Sequence, residues 1–339
     1  MNNWLHRSGA LAALVEDWIY AGLRRWGRWR GLIAQPFPLA AYGSAPPSDP
    51  NPSSPTDFAR IIVRVLMVSP HYDRWEFLRQ RRGFWQFLSL QLAGVPVQIR
   101  LGAATLETIT DRGGYVDVVL RGHGLPAGWH DAVVSVSGGK PVSQPVQIVG
   151  AEPIRGIISD VDDTIMNTAL PRPFLAFWNA FVAHTKARSA TVGMPKFFAA
   201  LQAECPGPVI YLSTGAWNVI GNLQDFVRRH GYPRGSFLLT DWGPSNTGWF
   251  RSGQEHKRTQ LRRLAAELPQ VSWVLVGDNG QHDPQIYREF ALEFPDLVDQ
   301  IVIRTLSQRE HFFAHGTVAP LKVVQSKRSF KDRLVGDFE

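Results

Sequence analysis

A chain of 339 residues, 44% hydrophobic and 19% charged, has room for two folded domains and the composition of an ordinary soluble globular protein. Its 36 Lys and Arg against 29 Asp and Glu give a formal net charge of +7, which suggests an anionic partner: a phosphorylated substrate, an acidic membrane or nucleic acid. A single cysteine, Cys205, excludes an intrachain disulfide and a cysteine-rich zinc site, and no run of about 18 uninterrupted apolar residues offers a transmembrane helix.

From the N-terminus, Ser8 to Trp29 reads as an amphipathic helix: Leu11, Leu14, Val15, Trp18, Ile19 and Trp26 recur near the helical period. Arg24, Arg25, Arg28 and Arg30 gather at its end, and with Arg7 against Glu16 and Asp17 they leave a local charge of +3. Such a helix packs on the protein body or docks on an anionic membrane, and both readings stay open. Glu16 and Asp17 break any signal-peptide core, so the expected location is cytoplasmic, with membrane association if the helix docks. Ala45–Pro55 is a proline/serine linker or surface loop.

From Arg60 to Val149 short strands follow one another: Ile61–Val68, Val95–Leu101, Thr105–Ile109, Tyr115–Arg121 and Ala132–Ser137. Glu107–Tyr115 looks like a hairpin around Asp111-Arg112-Gly113-Gly114, and a helix over Trp75–Leu92 interrupts the set. The expected fold is a small β-sandwich. Arginines among the aromatics of 75–87 would suit base stacking, but no nucleic-acid-binding signature accompanies them, and nucleic acid is not the expected partner.

From Ile154 strands alternate with helices, which argues for an α/β fold with a doubly wound sheet. The strands are Ile154–Ser159, Val209–Leu212, Phe237–Leu239, Trp273–Val276 and Val298–Arg304; the helices are Phe174–His184, Pro195–Glu204, Trp217–His230, His256–Glu267 and Pro284–Phe294. The polar, basic tail after Ala319 reads as poorly ordered. The expected segments are therefore 1–35 (basic helix), 36–57 (linker), 58–150 (sandwich-like), 151–318 (α/β) and 319–339 (tail).

Chemistry concentrates at strand ends. Asp160, Asp162, Asp163 and Thr164 follow the first α/β strand; alternate spacing points Asp160 and Asp162 the same way on extended backbone, where a hard cation would relieve their repulsion. Ser213, Thr214 and Gly215 end the second strand and offer either a phosphate cradle or a helix cap. Lys257, early in a helix, could neutralise a phosphoryl group. Gly277-Asp278 to Asp283 forms a second acidic strand end, and Asp278 is placed to complete a Mg²⁺ site with Asp160; His282 keeps a His/Asp transition-metal site conceivable, although an oxygen-rich set favours Mg²⁺.

The order D-x-D-x-T at Asp160–Thr164, Ser213, Lys257 and G-D-x-x-x-x-D at Gly277–Asp283 resembles the haloacid dehalogenase superfamily (HAD). More narrowly, Ser159–Ile165, Gly193-Met194-Pro195, Tyr211–Trp217, Pro233-Arg234-Gly235, His256-Lys257, Gly277–Pro284 and Ile303-Arg304 are similar to the App1 phosphatidate phosphatase family, over about Pro153 to Leu306. The resemblance implies a Mg²⁺-dependent phosphatase with Asp160 as nucleophile and Asp162 as general acid and base. It implies that Ser213, Lys257 and the Thr164, Thr214 and Gly215 surroundings hold the phosphoryl group. Asp160, the Asp162 carbonyl, Asp278 and Asp283 would hold Mg²⁺. Only about fifty residues separate Asp162 from Ser213, too few for a large lid, which suits a bulky substrate such as a lipid headgroup; a soluble phosphoester or phosphoprotein substrate and a non-catalytic binding module remain the alternatives.

Overall fold

The computed structural model describes residues 22, 25–27, 29–47, 57–70, 92–167, 189–240, 253–279, 282–305 and 321–326. The expected helices at Trp75–Leu92, apart from Leu92 itself, and at Phe174–His184, most of the N-terminal helix and most of the proline/serine segment fall outside the described residues. What is described is α/β, with two mixed sheets.

The first sheet holds β1 (Ile33–Ser44), β2 (Phe58–Val68), β3 (Pro96–Leu101), β4 (Ala104–Ile109), β5 (Tyr115–Arg121), β6 (Gly128–Val136) and β7 (Val142–Val149), in the order β4-β3-β6-β7-β1-β2-β5. The expected hairpin at Asp111–Gly114 is not formed: β4 pairs with β3, and β5 with β2, at opposite edges. The turn itself is tight, with Tyr115 N–H bonded to Asp111 Oδ1 at 2.8 Å, Thr110 N–H to Val95 O and Val65 N–H to Gly114 O. One short turn thus bridges both edges, and the sheet rolls around a single core that includes Ile61, Val63, Ile99, Val134 and Val146. One rolled sheet stands where the sequence suggested two packed ones.

β1 occupies a stretch assigned to the end of the basic-helix segment and the start of the linker segment, and it carries Pro36 and Pro38, which a central strand rarely holds. The strand tolerates them through its asymmetry. It pairs antiparallel with β2 along its whole length, with an irregularity between Pro38 and Ala40. Its other edge pairs with β7, in parallel, only at Tyr42–Ser44.

The second sheet holds β8 (Ile154–Ser159), β9 (Val209–Ala216), β10 (Ser236–Thr240), β11 (Val271–Asp278), β12 (Val298–Arg304) and β13 (Leu321–Ser326), in the order β10-β9-β8-β11-β12-β13. The first five run parallel to their neighbours. β13 joins β12 antiparallel, so part of the tail expected to be poorly ordered supplies an edge strand. Because successive strand residues face opposite sides, each buried strand serves two cores. Tyr211 and Val274 meet α1 (Met194–Glu204) and α2 (Ile220–Arg229) through Phe198, Leu201, Leu223 and Phe226. Leu212 and Leu275 meet α3 (Gly253–Glu267) and α4 (Asp283–Glu293) through Leu261, Leu264, Ile286 and Phe290.

The two sheets are joined. Ala40, Tyr42, Phe58 and Val149 of the first belong to the same apolar cluster as Ile158, Leu212 and Trp273 of the second. Around that contact, Glu267 of α3 accepts from Tyr42 Oη at 2.6 Å and from Arg60 Nε at 2.8 Å, while Arg60 and Arg263 both pair with Asp117.

Candidate active site

Strands β9, β8 and β11 are neighbours and parallel, so their carboxyl ends open on one edge of the sheet, where strand order reverses direction at β8. Open α/β sheets bind ligands at such a reversal. Asp160 lies there immediately after β8, its N–H bonded to Val276 O of β11 at 2.9 Å. Asp278 is the last residue of β11, Asp283 the first of α4, and Lys257 lies in the first turns of α3. All four are at most 2% exposed.

Carboxylate oxygens of Asp160, Asp278 and Asp283 lie within 4.8 Å of one another. Lys257 Nζ donates to Asp160 Oδ1 at 2.7 Å and to Asp283 Oδ1 at 2.5 Å. Burial raises the Asp160 carboxyl well above the usual range; Lys257 opposes this, and repulsion from Asp283, Asp278 and Asp162 adds to it. For Lys257 burial favours the neutral amine, but attraction to Asp160 and Asp283 outweighs it and raises its pKa. Gly277 permits the crowding: a Cβ there would lie 2.7 Å from Asp283 Oδ2 and 2.8 Å from the Tyr287 ring. Tyr287 closes the floor with a 3.2 Å bond to Val276 O.

Three clustered carboxylates against one ammonium leave excess negative charge, and the buried Asp283 Oδ2 has no hydrogen-bond donor among the described residues. Hard oxygen donors with an unsatisfied lone pair fit a Mg²⁺-type cation. His282 is exposed and lies outside this group, so the transition-metal alternative gains no support from it.

The other expected residues surround the same edge. Asp162 is 5% exposed and accepts at Oδ2 from Ser213 Oγ at 3.2 Å; Thr164 Oγ1 approaches Asp160 Oδ2 at 3.4 Å. The Ser213–Gly215 segment differs from expectation. Backbone remains in strand form through Ala216, a 3₁₀ turn (Trp217–Val219) follows, and α2 is capped at Val219 without a side-chain bond. Ser213 therefore caps no helix; its Oγ accepts the Gly215 N–H at 2.9 Å. Thr240 Oγ1 pins the segment by donating to Thr214 O at 2.7 Å and to Gly215 O at 3.1 Å.

Two supporting residues had no role assigned from the sequence, although Arg304 stands in the Ile303-Arg304 pair noted there. The loop from Asp160 to Met166 carries Asp163 at φ 56°, a left-handed conformation that Asp tolerates better than most residues. Arg304, 2% exposed at the end of β12, donates from Nη1 to Asp163 O at 2.8 Å, and Tyr232 Oη donates to Ile165 O at 2.7 Å. Both act on main-chain carbonyls far away in sequence, and no local pattern announces such a bond.

Residues 155–305 match the family described as phosphatidate phosphatase APP1, catalytic domain. Phosphatidate phosphatase APP1 of Saccharomyces cerevisiae is 24% identical over 153 residues, covering 45% of this chain and 26% of that protein. An uncharacterized protein of Schizosaccharomyces pombe is 28% identical over 150 residues, covering 44% and 24%. The chain thus spans about a quarter of the length of these curated relatives. Among solved structures, a carbohydrate acetylesterase from Xanthomonas citri aligns over 64% of this chain and 63% of its own at 14% identity and a TM-score of 0.25, too loose a likeness to carry an argument. By the matched segment and its motifs, residues 155–305 are similar to the APP1 catalytic-domain family.

Proposed function

We propose that this chain is a Mg²⁺-dependent phosphatidate phosphatase that hydrolyses a lipid phosphomonoester through an aspartyl-phosphate, on a doubly wound, HAD-like domain spanning 151–318. The observation that carries the reading is the buried Asp160 carboxylate held by Lys257 beside Asp278 and Asp283 at the strand-order reversal.

In this reading Lys257 fixes Asp160 Oδ1 and leaves Oδ2 to attack phosphorus. The ester bond to the leaving oxygen breaks as Asp162 gives that oxygen a proton. Asp162 then takes a proton from water as the water attacks the aspartyl-phosphate, releasing phosphate and restoring Asp160. Ser213, bonded to Asp162, orients that carboxyl and lies beside the phosphoryl oxygens; Thr164, Thr214 and Gly215 complete the surroundings. A divalent cation held by Asp160, the Asp162 carbonyl, Asp278 and Asp283 would supply neutralising charge to the phosphoryl group. Exposed Trp26 and Trp29, at 49% and 79%, with Arg30 stacked over Trp26 at 5.0 Å, support peripheral contact with an anionic membrane.

The test is phosphate release from phosphatidate-containing vesicles and from soluble phosphomonoesters, with and without Mg²⁺. Wild type is expected to turn over the vesicles only with Mg²⁺, and Asp160→Asn to release none. Turnover retained by Asp160→Asn would remove the nucleophile assignment. Turnover of soluble esters alone would move the substrate away from lipids.

A further inference from the structure

A cleft of about 1060 Å³ lies between the first sheet and α2, lined in part by Gly235, Ser236 and Phe237 at the start of β10. This is the end of the second sheet opposite Asp160. The sequence keeps the cleft open: β1 leaves β7 before Tyr42, and Pro38, Pro141 and Pro145 on its walls have no N–H with which to close a ladder. Side chains span the gap instead. Gln35 exchanges bonds of 2.9 and 3.1 Å with the Lys140 main chain, and Gln144 Nε2 donates to Ala40 O at 2.7 Å. Walls so capped suit an added peptide strand poorly.

The lining chemistry is two-sided. Leu39, Val142, Val227 and Phe237 provide apolar walls, while Lys140, Arg228 and Arg234 are exposed and cationic. Asp225, the acid of the lining, is paired with Arg228 at 3.0 Å. Arg234 lies 3.9 Å over the Trp129 ring, which holds the guanidinium flat and leaves its N–H edge for an anion; no carboxylate pairs with it among the described residues. With that ring face covered, Trp129 offers no second platform on that side for a nucleobase.

From the cleft's size, its apolar walls and the unpaired guanidinium of Arg234, we infer that it binds a single-chain anionic amphiphile, with the hydrocarbon along Leu39 and Phe237 and the carboxylate or phosphate head at Arg234. The site is separate from the acidic cluster and does not depend on the proposed hydrolysis.

Calorimetric titration of the full chain carrying Asp160→Asn with dodecanoate and with dodecyl phosphate, each below its micelle concentration, tests this. One saturable site per chain is expected; adding Arg234→Glu should weaken it by about tenfold or more. Leu39→Trp, on the opposite wall, should block it by filling the cleft. Neutral dodecyl maltoside should not compete, and the tighter of the two anions identifies the head. Circular dichroism melts confirm that both variants are folded. Absence of saturable binding, equal binding in both folded variants, or equal competition by the neutral detergent would each overturn the assignment.

Discussion

Replacing Lys257 with methionine keeps much of the side-chain volume and removes the ammonium that bonds Asp160 at 2.7 Å and Asp283 at 2.5 Å. Those carboxylates are at most 1% exposed, and Asp278 beside them is fully buried. Burial and mutual repulsion already raise the Asp160 pKa, with Lys257 as the opposing influence. Without it the cluster must take up protons, admit water or loosen. Removing one partner of a buried ion pair costs about 3–5 kcal/mol, and two contacts are lost here. Urea unfolding at neutral pH in a chelator should show a loss of that size. Adding Asp283→Asn to the methionine variant should return about 1 kcal/mol or more, since members of one network couple by about 0.5–3 kcal/mol. With the chelator left out, excess Mg²⁺ should stabilise wild type against urea by about 2.7 kcal/mol at a hundredfold excess over its dissociation constant. A loss under about 1 kcal/mol, or a double variant no more stable than the single, would refute the view that Lys257 holds the carboxylates together.

Further outcomes are expected at Tyr232 and Cys205. Tyr232→Phe removes the bond to Ile165 O and should cost about 1 kcal/mol in urea unfolding, with a lower turnover number because that loop also carries Asp160 and Asp162; unchanged stability and turnover would deny it the supporting role. Burial pushes the Cys205 thiol up to about 11, with Arg155 opposing and Asp299 and Glu204 adding, so the native protein should resist thiol reagents at pH 8 and react once unfolded. Because the folded pKa exceeds the ordinary 9.0, its contribution is complete below pH 9 and is lost as pH rises through about 11; Cys205→Ala should flatten that part of the stability profile, and a profile identical to wild type would contradict this.

The part of the fold legible in the sequence was the part set by local chemistry. Hydrophobic runs ending in Asp160, Ser213 and Asp278 mark three neighbouring strands, because a buried parallel strand is apolar on both faces and polar only where it emerges. Clustered carboxylates are costly without a function, and the structure brings Asp160, Asp278 and Asp283 to one point. Illegible features depended on partners distant in the chain. β1 looks broken by Pro36 and Pro38 until its half-open edge is known. The turn at Asp111–Gly114 has hairpin chemistry, yet its strands go to opposite edges of a rolled sheet. β13 is a polar tail until β12 offers it an edge. Tyr232 binds a carbonyl, which every residue possesses, so residue type gave no hint; Arg304 stood in a noted pair, but its carbonyl partner could not be read from it.

The apolar cluster shared by Tyr42, Phe58 and Trp273 bears on how this family can be cut and joined. A fragment trimmed to 155–305 would bare one side of that cluster to water and leave Glu267 without Tyr42 and Arg60. The limits of the family match thus trace sequence similarity rather than self-sufficiency. Any relative that carries the segment without these strands must cover the same surface by other means.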